Sequence, residues 1–360
     1  MRLTKIDYYI IKRFLGAFAL ALGLFTVIIM VFDLSEKIDD FMRNEAPFSE
    51  IIFNYYVNWI PFLLNLFSPV FVFISVIFFT SKMSQNSEIV AILASGVSYR
   101  RLLLPYIITA IFLALVSFSL FAWIIPKADK TRVVFENKYI RDQRHYTASQ
   151  IKTQISLGQI LSIRNFNFSD SAGFKVSLEQ VENGKLVAKL YADRMIWNKR
   201  TKSWRMQKWW TREFVDGIEI IEKGAVMDTL IPFNPEDFFR KNDDVQMFNL
   251  SELDHMIASE KMRGTGHMFF YITEKYKRFA MPFAMIILTI IGVSVSSKKT
   301  RGGIGLNLGI GLLVSFSFLI VFQFFLAYGS SGALHPLIAV IIPNLIFGTI
   351  AFIMYKLAQK

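Results

Sequence analysis

Charge is withheld from long stretches of this chain and crowded into the segments between them. Phe14 to Phe32, Ile51 to Ser81 and Leu102 to Ile125 hold no Asp, Glu, Lys or Arg, and each is long enough for a helix crossing the roughly 30 Å hydrocarbon layer of a bilayer. A fourth apolar run, Met268 to Ser296, admits charge only in its first turns, at Glu274, Lys275, Lys277 and Arg278, with Pro282 just below them. From Gly302 to Tyr355 the chain is again uncharged, which leaves room for two helices joined by a small turn at Tyr328 to Pro336. The pattern predicts six spanning helices.

Between the third and fourth runs the period changes. Apolar and polar residues alternate there, as in strands with one buried face. Ile151 to Phe168, Phe174 to Val181, Lys185 to Ile196, Ser203 to Phe214 and Ile218 to Leu230 are the predicted strands. Asn183-Gly184 and Asp216-Gly217 signal two-residue hairpins, whose central positions need a left-handed backbone. About six to eight strands fit this space, which suggests a sandwich or jelly roll. A short helix over Leu250 to Met262, with Ser251 as cap and Asp254 three residues on, leads to a joint at Gly264 and Gly266. The predicted class is therefore an α+β membrane protein: six transmembrane helices in a 3+3 arrangement, with an all-β, jelly-roll-like domain inserted between helices three and four. The expected boundaries are 1–126, 127–266 and 267–360.

Composition supports the membrane assignment: 53% of residues are hydrophobic and 36 are Phe, and mean hydropathy is +0.40. The net charge of +12 would suit nucleic acid, but its distribution does not. The segments flanking alternate ends of the runs carry twelve bases and two acids, the bias that marks cytoplasmic loops. Asp33 to Glu50, with six acids and two bases, is then an outer loop. This places both ends in the cytoplasm and the β domain outside. The first run reads as a retained helix, since no small-residue cleavage site follows it.

The loop between the second and third runs, Asn86 to Arg101, holds an apolar core too short to cross a membrane. It predicts a connector helix at about 86–97, with Ser87 as N-cap, Glu88 in the first turn, where the helix dipole favours an acid, and Gly96 as the left-handed C-terminal residue. Ile89, Ile92, Leu93 and Gly96 share one face. Two readings are open: the helix packs beneath its own bundle or in the lipid interface, or it docks into a soluble partner, with Glu88 pairing to a base there.

Several chemistries find no signature. There is no phosphate-binding Gly-x-x-x-x-Gly-Lys-Ser/Thr loop, no cysteine, and no metal-ligand spacing among the four histidines. The glycine-rich stretch Gly302 to Gly311 reads as helix packing, through Gly305 and Gly309. Ion-coupled carriers place acids or His deep in their helices, which the uncharged runs do not. Energy for any transport would enter from outside, at the connector. A cargo would be amphipathic, meeting Phe-rich walls such as Val314 to Phe325, although Phe316, Phe322 and Phe325 suit ordinary packing too. Phe32 ends the first run, and Lys37 and Arg43 beyond it either bind phosphates of the cargo or balance neighbouring acids.

The chain resembles the lipopolysaccharide-export permeases of the LptF/LptG type, leaning to LptG. The similarity rests on IDYYIIKRFLG (Ile6 to Gly16), SEIVAILASGVSYRR (Ser87 to Arg101), WIIPKAD (Trp123 to Asp129), NLSELDHMI (Asn249 to Ile257), EKYKRFAMPFAM (Glu274 to Met285) and HPLIAVIIPN (His335 to Asn344). The resemblance implies a bacterial inner-membrane protein that pairs with a second permease. A cytoplasmic ABC ATPase dimer would use ATP and Mg, this chain binding no cofactor, and a periplasmic bridge protein would receive lipopolysaccharide drawn from among the membrane lipids. It further implies ATPase coupling through Glu88, Ile89, Ile92, Leu93, Ser95, Gly96 and Arg100, and cargo contact at Lys37, Arg43, Phe32 and Phe322. Glu36 and Asp39 beside Lys37 depart from the family's more basic pattern. The chain would be a transport subunit rather than an enzyme. The alternatives are an envelope scaffold whose outer β domain binds another periplasmic protein, and an ion-coupled lipid carrier.

Overall fold

The computed structural model describes residues 4–140, 147–167, 170–182, 184–215, 218–231, 235, 242–263, 267–299 and 302–358. Among them, six helices are long and apolar enough to cross a membrane. They are α1 (Lys5–Arg43), α2 (Phe48–Gln85), α4 (Tyr99–Tyr139), α6 (His267–Ser296), α7 (Gly303–Ser330) and α8 (Pro336–Ala358), with α3 (Glu88–Ala94) joining α2 to α4 and α5 (Leu250–Arg263) preceding α6. The chain divides into two compact units, residues 1–135 with 246–253 and 269–360, and residues 136–245 with 254–268.

The spans stand where the uncharged runs are, but the helices outrun them. α1 starts at Lys5 because Thr4 and Asp7 form a capping box: the Thr4 hydroxyl accepts from the Asp7 amide, and the Asp7 carboxylate accepts from the Thr4 amide. At its other end α1 continues through Asp33 to Arg43, the segment expected to be an outer loop. Asp33 and Lys37 lie one turn apart and pair at 2.6 Å, an acid-then-base order that favours helix. α4 likewise passes its expected end at Ile125, through a π-turn over Leu120–Ile124, to Tyr139. A second π-turn, Ile51–Tyr56, opens α2. The cap of α5 is not Ser251 with Asp254. Asn249 Oδ1 accepts from the Glu252 amide and the Glu252 carboxylate accepts from the Asn249 amide, each at 2.8 Å.

In the first unit, buried polar groups tie helices that apolar contact alone would leave free to slide. The Asn65 amide donates to Ser117 O at 3.1 Å (α2 to α4), and the Asn307 amide to Ser81 Oγ at 2.9 Å (α7 to α2). Arg278, almost wholly buried, donates to the carbonyls of Phe121 and Phe248. The close helix approaches are not at Gly305 and Gly309, where a Cβ would meet nothing within 4 Å. They include Gly292, where a Cβ would stand 3.0 Å from a Val76 methyl, Gly311, where it would stand 2.5 Å from an Ile77 methyl, and Gly329, where it would stand 2.8 Å from the Ala339 Cβ. The inward face of α7 runs through Asn307, Gly311, Ser315, Phe318 and Phe322, and turns Gly305 and Gly309 away from it.

The second unit is built on six strands: β1 (Thr147–Ser156), β2 (Gln159–Asn167), β3 (Ala172–Glu182), β4 (Lys185–Asn198), β5 (Ser203–Val215) and β6 (Ile218–Thr229). Each pairs antiparallel with the next. Among the described residues the order is thus a meander rather than the crossed order of a jelly roll, because every connection is a hairpin. The segment expected as one strand from Ile151 to Phe168 is two, folded at Leu157-Gly158. Gly158 has φ +77°, and a Cβ there would fall 2.5 Å from Val181 O, so only glycine fits. Asn183, Asp216, Gly217, Gly264 and Gly266 lie outside the described residues; Gly184 has the left-handed backbone expected of its turn. Phe166 of β2 touches Trp204 of β5, ring centroids 6.3 Å apart. Three strand spacings of about 4.8 Å separate these strands along a flat sheet, so the sheet curls around its core.

Candidate functional site

The connector is the site the sequence marked most strongly. α3 has seven residues, fewer than would hold a helix in water, so its shape depends on what it packs against. Ile89 is 1% exposed and joins a core with Ile10, Phe14, Met83 and Tyr99, and Ile92 packs against the same cluster. The face expected to dock is thereby split: Ile89 and Ile92 turn into the bundle, whereas Leu93 is open, together with Val90, which is 56% exposed. Ala91, Ala94, Ser95, Gly96 and Arg100 are exposed as well. The outward surface of α3 is small and apolar.

Its ends differ from expectation at one point. Ser87 stands at the N-cap position but has φ +61° and makes no capping bond through its side chain. Gly96, at φ +90°, is the left-handed residue expected, and the Ser95 hydroxyl donates to Ile92 O at 2.7 Å. Glu88 is held from within the chain, accepting from the Tyr9 hydroxyl and the Asn86 amide, each at 3.2 Å. Ser98 caps α4 through the Arg101 amide, and Arg101 grips Asp7 with two guanidinium nitrogens. The start of α1 is thus fastened to both sides of α3. Tyr9, Asp7, Arg101 and Val90 were not assigned to the site from the sequence. Asp7 and Glu88, the two acids in the base-rich segments that flank the spans, were the available signal.

The second group of expected residues lies at the far end of α1. Lys37 pairs with Asp33, donates to the Tyr55 hydroxyl, and sits 4.7 Å and 5.0 Å from the ring centroids of Tyr55 and Trp59. The Tyr55 hydroxyl donates to Asp33 at 3.1 Å. Lys37 is therefore satisfied by its own helix and α2 and retains 22% side-chain exposure. Arg43, exposed in the last turn, suits the negative helix end. Phe32 is 73% exposed, so Phe32, Lys37 and Arg43 share one end of α1 with an apolar and a basic surface. Phe322 does not join them. It is buried in the bundle, stacked on Phe318 at 5.6 Å, because these residues lie one turn apart on the inward face of α7; Phe316, Ile320 and Phe324 are among the exposed residues of that helix.

The model of the family described as lipopolysaccharide export system permease LptF/LptG matches residues 8–357. No individually curated protein matches the sequence. The matched region takes in every one of the six spans, the connector helix and the inserted sheet. A match over nearly the whole length, on the architecture just described, makes this multi-pass membrane protein a member of the LptF/LptG family of lipopolysaccharide export permeases.

Proposed function

We propose that the chain is one of two permease subunits driven by a cytoplasmic ABC ATPase dimer, drawing lipopolysaccharide from the inner membrane and passing it to a periplasmic bridge protein. The observation that carries the coupling is α3: a helix too short to stand alone, anchored by Ile89 and Ile92, with Val90 and Leu93 facing outward. A soluble partner that covers those side chains gains their burial and acquires a rigid handle on α1 and α4. This chain carries no nucleotide signature, so ATP and Mg belong to the partner. In the proposed orientation both termini and α3 are cytoplasmic, and the sheet is periplasmic. The last strand, β6, exposes Ile218, Ile220, Ile221 and Val226 at the end of the strand order, a surface suited to strand addition by the bridge. Phe32, Lys37 and Arg43 would meet the acyl and phosphate parts of the cargo at the outer end of α1.

The test is affinity purification through a C-terminal tag in mild detergent. The expected companions are a soluble ATPase and a second six-helix permease, and Leu93→Asp should strip away the ATPase while leaving the chain in the membrane. A chain that copurifies with periplasmic proteins alone would refute the coupling and favour a scaffold.

A further inference from the structure

A groove of about 760 Å³ runs along α1 and α2 in the first unit, closed on one side by Leu308 of α7, at the end opposite Lys37. Its α1 side is one helical stripe, from Lys12 and Arg13 through Gly16 and Ala17 to Leu24, and its α2 side carries Phe78 and Lys82. Gly16 leaves open space where a Cβ would stand, so small residues make the floor. The three cations gather at one end and the rest of the lining is apolar apart from the Tyr9 and Ser75 hydroxyls. No carboxylate lines the groove, and among the described residues none of the three cations has an ion-pair partner. Arg13 lies over the Tyr9 ring at 5.4 Å.

The dimensions match one leaflet. Lys12 to Leu24 spans about 18 Å at 1.5 Å per residue, close to half of a roughly 30 Å hydrocarbon core. Lys12 and Lys37 are about 38 Å apart by the same rise, so this groove is separate from the group around Lys37. A zwitterionic headgroup brings its own ammonium beside the phosphate and offsets it; a headgroup of net negative charge answers the three cations.

We propose that this groove binds an anionic phospholipid, its phosphate held by Lys12, Arg13 and Lys82 and an acyl chain lying along α1 toward Leu24. That the leaflet concerned is the cytoplasmic one rests on the orientation proposed above. The lipid occupies the wall between α1 and α2 that α3 and the Asp7–Arg101 pair adjoin, so its headgroup charge feeds directly into the region where the ATPase would act.

Because the chain has no cysteine, Leu24→Cys gives a single labelling site on the intact protein. With a fluorophore there, reconstitution into phosphatidylcholine nanodiscs doped with spin-labelled phosphatidylglycerol or spin-labelled phosphatidylcholine reads lipid occupancy as quenching. Each base near an anionic headgroup is worth roughly a factor of five in binding. The expected result is a phosphatidylglycerol preference that falls about five-fold in Lys82→Gln and roughly a hundred-fold in the Lys12→Gln, Arg13→Gln, Lys82→Gln triple variant. All three side chains are exposed, so folding is spared. Ala17→Phe, which fills the groove, should reduce quenching by both lipids. Equal quenching by the two lipids, or a preference unchanged in the triple variant, overturns the proposal. So does disulfide cross-linking of the unlabelled Leu24→Cys thiol to a second protein chain in place of lipid quenching. Accessibility of a Lys12→Cys thiol from the two faces checks orientation independently: if it opens to the outer face, the lipid preference stands and the topology falls.

Discussion

The two sides of α3 make opposite predictions for substitutions four residues apart. Ile89→Ala removes most of a side chain that is 1% exposed. Large-to-small changes at such positions cost roughly 2–5 kcal/mol, and a short helix at the edge of the bundle can settle partly into the space, so the lower half of that range, about 2–3 kcal/mol, applies. The loss falls on local opening of α3, since its hydrogen bonds, such as Ser95 N to Ala91 O at 3.1 Å, break when the helix lifts off. At about 1.4 kcal/mol per tenfold, amide hydrogen exchange over Ala91 to Ser95 should accelerate about 30- to 150-fold in the purified chain. Leu93→Asp, on the open side, should change the same exchange rates by less than about threefold while removing the ATPase from the complex. Equal acceleration by the two substitutions would refute the division into an anchoring and a docking face. Unchanged exchange in Ile89→Ala would remove Ile89 as the anchor.

Three further outcomes follow from contacts elsewhere. Gly292→Leu should destabilise the first unit by roughly 1–3 kcal/mol, because even a Cβ there would press on Val76 and Phe73; Gly305→Leu, with open space around it, should leave the detergent melting temperature unchanged. Asn307→Leu breaks a buried interhelical hydrogen bond and should cost about 0.5–1.5 kcal/mol in denaturant titration, the range for such bonds in membrane proteins. In the sheet, the two-pronged contact from Arg205 holds the Asp228 carboxyl below its ordinary value. Its contribution is present above the ordinary carboxylate range and is lost as pH falls through the lowered folded-state value. Amide protection in β5 and β6 should therefore exceed that of Asp228→Asn near neutral pH, with the difference closing on acidification.

The spans were legible because charge in hydrocarbon is costly, so the uncharged runs report depth in the membrane directly. Helix ends were not, since hydropathy reports the lipid boundary and not where the backbone stops being helical. Asp33 to Arg43 is polar and still helical, held by the Asp33–Lys37 pair and by Tyr55. The strand pattern located five of the six strands, and the missing hairpin turned on Gly158 following Leu157, a weaker turn signal than Asn-Gly. The place of α3 was readable from its length and flanks. Its orientation was not: a seven-residue helix apolar on nearly every side has no periodicity that says which face belongs to its own bundle. Phe322 illustrates the same gap, because Phe318 and Phe322 differ from Phe316 and Phe324 only in which neighbour each meets.

α1 is fastened at both ends and held lightly between them. Asp7 is gripped by Arg101 at one end, and Asp33 and Lys37 engage Tyr55 at the other, whereas the stretch between, with Leu20, Leu24, Val27, Ile28 and Val31 exposed, touches α2 through ring contacts such as Phe25 with Phe67 and Phe71. Such a helix behaves as a beam pinned at its supports. Displacing its midsection exchanges one set of hydrocarbon contacts for another and breaks no interhelical polar bond among the described residues, whereas displacing either end breaks the Asp7–Arg101 pair or the bonds from Asp33 and Lys37 to Tyr55.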